Sequence, residues 1–188
     1  MSKPNIEFRT ACPADTPAIV ALVESAYRGD VSRKGWTTEA DILDGQRTDS
    51  DEVLEIINDS SARLILAQSE AALLGCVVLR DEGSTAYIGM LAIRPDCQAS
   101  GLGRQLLEEA ERCAQTAFSA TKARMTVIIQ REELIKWYER RGYERTEHRE
   151  PFPYGNSRFG LPRRTDLEFI VLEKRLNSTI GVTARNHT

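Results

Sequence analysis

The sequence predicts an α/β fold, a mixed sheet with helices on both faces. Two observations predict it. Short runs in which apolar and polar residues alternate are interleaved with longer segments whose apolar residues recur every three to four positions. The segments follow the order strand, helices, three strands, helix, strand, helix, two strands, without internal repeats or a clear linker, and alternation of this kind builds a helix-covered sheet. The 188 residues suffice to bury a core without disulfides or metal. One domain over 1–176 is expected, with 177–188 as a flexible C-terminal tail.

The elements follow in chain order. NIEFRTA (5–11) alternates and reads as a strand. In ADTPAIVALVESAYRG a helix is expected. Asp15 is its cap, Pro17 is tolerated in the first turn, and Ile19, Val20, Val23, Ala26 and Tyr27 form one stripe before Gly29 ends it. GWTTEADILDGQ reads as a second, short helix capped by Thr37 or Thr38. DSDEVLEIIN reads as a third, with Asp49 and Glu52 at capping-box spacing. RLILAQ (63–68) and ALLGCVVLRD (72–81) are apolar runs joined by a tight polar turn, the pattern of an antiparallel hairpin. STAYIGMLAIRP (84–95) is a third strand, stopped by Pro95. QASGLG (98–103) then opens into a helix whose Leu106, Leu107, Ala110, Cys113, Ala114 and Ala117 share one face. ARMTVIIQ (123–130) is a strand, and REELIKWYERRG a helix closed by Gly142. YERTEHRE reads as a strand, PFPYGNSRFGLPRR (151–164) as a long loop and DLEFIVLEKRL as the last strand. From NSTIG onward no period remains.

Composition narrows the function. A net charge of −3 gives no support to nucleic-acid binding, and the basic run RRGYER is too short to change that. Cys12, Cys76, Cys97 and Cys113 form no CxxC pair, and with only His148 and His187 beside them no metal site is expected. No apolar run has signal-peptide or membrane-span length, so no membrane partner and a cytoplasmic location with reduced thiols are expected. The NST triplet at 177–179 has no weight without a secretion signal.

The glycines of QASGLG raise a chemical question. Gly101 and Gly103 let a ligand approach bare backbone. The amides from about Ser100 to Arg104, at the start of a helix, would point outward unpaired, and the helix dipole adds roughly 0.3–1 kcal/mol for an exposed anion. A pyrophosphate cradle is one reading, with Arg104 adding a charge-assisted contact; a packing turn between strand and helix is the other. A Walker A motif would need Gly-Lys-Ser/Thr, and a Rossmann fingerprint would need a third glycine where Leu106 stands, so a nucleoside triphosphate or dinucleotide is disfavoured.

The stretch LAIRPDCQASGLGRQLLEEAE resembles the acetyl-CoA signature of the GCN5-related N-acetyltransferases, Q/R-x-x-G-x-G/A, with Gln98, Gly101 and Gly103 at its fixed positions. IKWYERRGYER resembles that family's second hallmark, and the resemblance spans about residues 5 to 175. It implies a mostly antiparallel sheet with one splayed parallel strand pair, the strands ending in MLAI and MTVIIQ. The pantetheine arm of acetyl-CoA would lie in that gap against Leu91, Ala92 and Ile93. Its diphosphate would sit on Gln98, Ala99, Ser100, Gly101, Leu102, Gly103 and Arg104. The implied reaction is acetyl transfer to a primary amine of a small molecule, by direct attack in a ternary complex. A non-catalytic acyl-CoA-binding regulatory module and a protein or peptide N-acetyltransferase are the alternatives. The assembly state stays open, a homodimer included.

That chemistry sets three requirements. An alkyl amine of pKa near 10.4 must lose a proton, which costs about 4.6 kcal/mol at pH 7. The developing oxyanion needs a donor, most simply the Leu91 amide. The departing thiolate needs a proton. Tyr138 matches the family tyrosine that often serves as the acid, and its phenol stays protonated at neutral pH. It is also placed to be an aromatic anchor in one stripe with Leu134 and Ile135. Trp137, Tyr143 and Phe152 read as packing residues and Cys97 as a small filler. The base is not legible: the position of a glutamate in some family members is Tyr87 here, and Glu24 or a water chain is the substitute. Arg131 and Leu134 depart from the family's Asn and Ala before the tyrosine. Trp36, Tyr87 and Tyr154 are candidate acceptor residues. Glu39, Asp41 and Asp44 read as a solvated helix face or as attraction for a cationic amine. Arg158, Arg163 and Arg164 would receive a carboxylate or the 3′-phosphate, or simply keep their loop soluble.

Overall fold

The computed structural model describes residues 5–70 and 72–176; the expected tail over 177–188 lies outside the described residues. The elements are β1 (Glu7–Thr10), α1 (Thr16–Tyr27), α2 (Gly29–Ser32), β2 (Leu43–Asp44), α3 (Ser50–Asn58), β3 (Ala62–Ser69), β4 (Ala72–Glu82), β5 (Thr85–Ile93), α4 (Leu102–Phe118), β6 (Lys122–Ile128), α5 (Glu132–Glu139), β7 (Glu144–Pro151), β8 (Leu161–Pro162) and β9 (Glu168–Arg175). Seven strands form one sheet in the order β1-β3-β4-β5-β6-β9-β7, and β2 pairs separately with β8. Every neighbouring pair of the large sheet is antiparallel except β5 and β6.

Strand alternation divides the core in two. Leu64 and Leu66 of β3, with Cys76 and Val78 of β4, pack under α1 and α3. The intervening Ile65, Ala67, Val77 and Leu79 pack on the other face against Leu106, Leu107, Ala110 and Ala114 of α4 and Ile135 of α5. Among the described residues no helix is long and apolar enough to cross a membrane.

Two irregularities position the site. The parallel pair is short: only Thr85, Ala86 and Tyr87 align with Lys122, Ala123 and Arg124, and the C-terminal halves of β5 and β6 part. β6 stays joined to β9 out to Ile128 and Phe169, so the gap opens on its β5 side. In β5, the register with β4 jumps between Cys76–Ala92 and Val78–Gly89, which sets Met90 and Leu91 together against Val77. Met90 takes a left-handed φ of 47° in this bulge.

Three local expectations are corrected. Residues 33–42 are turns, not a helix, because their hydrogen-bonding groups are used by distant partners: the Glu39 amide donates to the Tyr27 carbonyl, and the Ser32 and Thr38 hydroxyls are 2.6 Å apart. α1 ends at Tyr27 because Arg28 turns extended; Gly29, at φ 65°, begins α2. Asp15 makes no cap hydrogen bond to α1, since its carboxylate accepts from both Nη atoms of Arg9, each at 2.7 Å, and from the Cys12 amide. The Asp49 cap of α3 is present, accepting from the Glu52 amide at 2.7 Å. The loop over 151–164 also holds a 3-10 turn, Ser157–Phe159, besides β8.

Candidate active site

The gap between β5 and β6 is flanked by two cavities. One, of about 310 Å³, runs between the end of β5, the loop before α4 and α5; Ile93, Gly101, Gly103, Trp137 and Arg141 line it. The other, of about 130 Å³, lies toward β2 and the loop over 151–164, walled by Tyr87, Phe152, Phe159 and Phe169. Tyr27, Leu91, Arg131, Leu134 and Tyr138 line both.

The main chain of β5 can be oriented by parity. The Arg94 amide donates to the Leu74 carbonyl, so Arg94 and Ala92 turn their backbone groups toward β4, while Leu91 and Ile93 face the gap. The side chains that reach those carbonyls agree. The Tyr27 hydroxyl donates to the Leu91 oxygen at 2.6 Å, and Gln98 Nε2 donates to the Ile93 oxygen at 3.0 Å. An exposed amide edge therefore runs along β5 from the bulge to the start of the next loop.

That loop begins with the 3-10 turn Pro95–Cys97. Ala99 and Gly101 are left-handed, at φ 64° and 88°, and Gly101 is the N-cap of α4. The Gln105 amide bonds the Gly101 carbonyl, so the amides of Leu102, Gly103 and Arg104 precede the first intrahelical bond. Leu102 reaches only Ser100 Oγ, at 3.4 Å, and Ser100 Oγ itself donates to the Cys97 carbonyl. A Cβ on Gly103 would stand 3.5 Å from the Trp137 ring and 3.6 Å from Ile93, filling the cavity floor. Arg104 and Arg141 also line this cavity. Arg141 stacks 3.5 Å over the Trp137 ring, and its buried Nε has no hydrogen-bond partner. Burial, then Arg140 and Arg104, lower its pKa. A bare-amide floor with two arginines beside it fits a phosphate-bearing chain.

Gln98 also ties this loop to the segment before β2. Its Oε1 accepts from the Trp36 amide at 2.9 Å and its Nε2 donates to Thr37 Oγ1 at 2.8 Å. A Cβ on Gly35 would stand 2.5 Å from that Oε1, so a side chain there would displace the Gln98 amide from these bonds. Trp36 is brought to the first cavity, 6.1 Å from Trp137.

Tyr138 is buried where the cavities meet, held by Trp137 and Tyr143 at ring distances of 5.0 and 5.7 Å. Burial raises its phenol pKa. Burial and the nearby Glu39 carboxylate push Tyr27 up to about 12. Glu39 is not on a solvated face: it is buried, with Oε2 accepting from Arg28 Nη1 at 2.6 Å and Oε1 from Arg131 Nη1 at 2.9 Å. Burial pushes its carboxyl upward, but Arg131, Arg47 and Arg28 outweigh that and hold it below the usual range.

Other sequence candidates lie apart. Glu24 accepts from the amides of Arg47 and Thr48 and lines neither cavity. The Tyr154 hydroxyl accepts from the Leu167 amide at 2.7 Å, bracing the loop outside both cavities. Tyr87 lines the second, with its hydroxyl 3.1 Å from Thr126 Oγ1. Arg158, Arg163 and Arg164 are paired on the surface with Glu55, Asp44 and Asp166. Among the described residues no group of three or more His, Cys, Asp or Glu is placed to hold a metal ion. Sequence reasoning missed Tyr27, Arg28, Arg47 and Arg141 as site residues. Only Arg141 had a signal, in the basic run after Tyr138.

A family model described as an acetyltransferase (GNAT) domain matches residues 37–152. No curated protein matches the sequence. Among solved structures, the Escherichia coli ribosomal-protein-S18-alanine N-acetyltransferase superposes with a TM-score of 0.68 at 12% identity, over 98% of this chain and 100% of its own. The Salmonella typhimurium protein yncA, solved with its cofactor acetyl-CoA, gives 0.67 at 18% identity, over 96% and 99%. A Vibrio cholerae spermidine N-acetyltransferase gives 0.65 at 17% identity, over 91% and 94%. At these identities the structures establish the common fold, a mixed sheet with one short parallel pair, and the family model carries the assignment: the chain belongs to the GNAT acetyltransferases and is an N-acetyltransferase.

Proposed function

We propose that the protein transfers the acetyl group of acetyl-CoA to a primary amine of a small molecule, with both substrates bound at once. The observation that carries this reading is the meeting of two cavities at Tyr138 and at the Leu91 backbone. The larger suits a long phosphate-bearing chain, and the smaller, walled by Phe152 and Phe159 of the loop, suits a compact acceptor rather than a peptide laid across a shallow cleft.

Acetyl-CoA supplies the activated acetyl thioester. Amides of 99–104, with Arg104 and Arg141, hold its diphosphate, and the β5 edge at Leu91 and Ile93 orients its arm. The amine nitrogen attacks the carbonyl carbon as the C–S bond breaks, and the Leu91 amide donates to the developing oxyanion. Tyr138 gives its proton to the leaving sulfur. Water takes the proton the amine must lose, because the arginines hold Glu39, the carboxylate lining the acceptor cavity, below the usual carboxylate range and make it too weak a base to keep that proton. Direct transfer is favoured over a covalent route through Cys97, whose thiol pKa burial raises.

The test is calorimetric titration with coenzyme A, followed by thiol release from acetyl-CoA across amines, amino acids and peptides. Binding with turnover of a small amine is expected. Absence of binding to folded protein overturns the reading; binding without turnover of any acceptor favours a regulatory acyl-CoA-binding module, and turnover of peptides alone favours a protein acetyltransferase.

A further inference from the structure

The acceptor cavity has a charge that the transfer reaction does not require. Three guanidiniums, Arg28, Arg47 and Arg131, line it against one carboxylate, Glu39. Glu39 forms its ion pairs with Arg28 and Arg131. Arg28 is 7% exposed, yet its Nε and Nη2 have no hydrogen-bond partner. Arg47 makes no side-chain hydrogen bond or ion pair among the described residues. Its guanidinium lies 5.6 Å from the Tyr27 ring centroid, with Arg131 at 5.9 Å from the same ring. Of the other nearby carboxylates, Glu24 accepts from the amides of Arg47 and Thr48, Asp44 pairs with Arg163, and Glu52, which accepts from the Thr48 hydroxyl, acts with Glu39 to raise the Arg47 pKa against burial. The unpartnered donors of Arg28 are buried and Arg47 is half-buried beside them, so this surplus of cationic donors along an aromatic wall invites a counter-charge.

We infer that this cavity recognises an oxyanion on the acceptor, so that the substrate is a compact anionic amine carrying a carboxylate or phosphonate group. Arg47 is the direct donor, and Arg28 and Arg131 supply the surrounding positive field. The inference rests on the acetyl-transfer reading and narrows it. Polyamines are disfavoured, since a second ammonium would meet the guanidiniums.

The experiment compares matched pairs by thiol release: alanine with alaninamide, and 2-aminoethylphosphonate with ethanolamine, with spermidine as the cationic probe. Alaninamide has the less basic amine, so intrinsic reactivity favours it and a preference for alanine must come from the protein. The expected result is kcat/KM at least tenfold higher for one anionic member than for its neutral partner. Arg47→Gln should remove that advantage mainly through KM. Arg47→Lys should restore part of it, and Arg158→Gln, on the surface, should change nothing. Which pair responds separates carboxylate from phosphonate. A preference for the neutral or cationic amines, or an advantage that survives Arg47→Gln, overturns the inference.

Titrations of the same probes into the protein, with and without saturating coenzyme A, decide the matter where turnover is absent. Anion binding that Arg47→Gln abolishes supports the subsite; no binding, or equal binding of the neutral partners, sinks it. A failure of coenzyme A to bind counts against acetyl transfer and leaves the coenzyme-free titration to judge the subsite.

Discussion

Tyr138, the acid of the proposed reaction, is placed by its packing. Its ring is fixed by aromatic neighbours on either side, and the residue lines both cavities. Tyr138→Phe keeps the packing and removes only the proton donor. Turnover should fall at least tenfold, about 1.4 kcal/mol in the barrier, while coenzyme A affinity in calorimetry stays within twofold and thermal stability barely moves. Burial raises the phenol pKa, so the acid remains protonated through the range in which the amine loses its proton. The rate should therefore climb with pH toward the pKa of the acceptor amine, with no decline assignable to Tyr138 below about pH 10; a wild-type alkaline decline that disappears in the Phe variant would contradict the raised pKa. Tyr138 was legible because it sits in a recognisable stretch. Tyr27 was not: its hydroxyl matters through a carbonyl 64 positions away, and nothing local distinguishes it from a core residue at the end of an amphipathic stripe.

At the scale of elements, the start of α4 is the part whose geometry leaves least freedom. Gly101 and Gly103 look equivalent in sequence but differ in what each forbids. Gly101 has open space around it and a left-handed backbone, so Gly101→Ala costs conformation, about 1–2 kcal/mol. Gly103 is helical, and a methyl there would make only ordinary contacts with Trp137 and Ile93. A larger side chain must occupy the cavity. Gly103→Leu should leave the fold intact by circular dichroism and weaken coenzyme A binding at least tenfold in calorimetry; unchanged affinity would place the diphosphate elsewhere. Elements with a clear period, such as β3, β4 and α4, were legible because burial of one face fixes them. The segment over 33–42 was not, because Glu39 and Thr37 are used by Arg28, Arg131 and Gln98 rather than by a helix of their own. The splay between β5 and β6 was legible only through family resemblance, since no local pattern records where two strands stop pairing.

Across the whole molecule, Glu39 joins parts that the sheet keeps separate. Arg28 follows α1, on one face; Arg131 precedes α5, on the other; and Arg131 Nη2 also donates to the Thr37 carbonyl. One carboxylate thus locks the segment before β2 across the open end of the sheet, where the two cavities meet. Glu39→Gln keeps the shape and removes the charge, leaving buried guanidiniums uncompensated, so urea unfolding at pH 7 should show a loss of about 3–5 kcal/mol. The pH dependence has a definite sign. The folded-state pKa of Glu39 lies below its unfolded value of about 4.3, so its stabilising contribution is complete above that value and is lost as pH falls through the lower folded pKa. The gap between wild type and Glu39→Gln should be full at neutral pH and close progressively below about pH 4. Because the arginines are the source of the penalty, adding Arg131→Met to Glu39→Gln should recover part of the lost stability, a coupling visible in a double-mutant cycle. If the gap persists unchanged into acid, or the two substitutions simply add, the carboxylate is not what holds the open end of the sheet together.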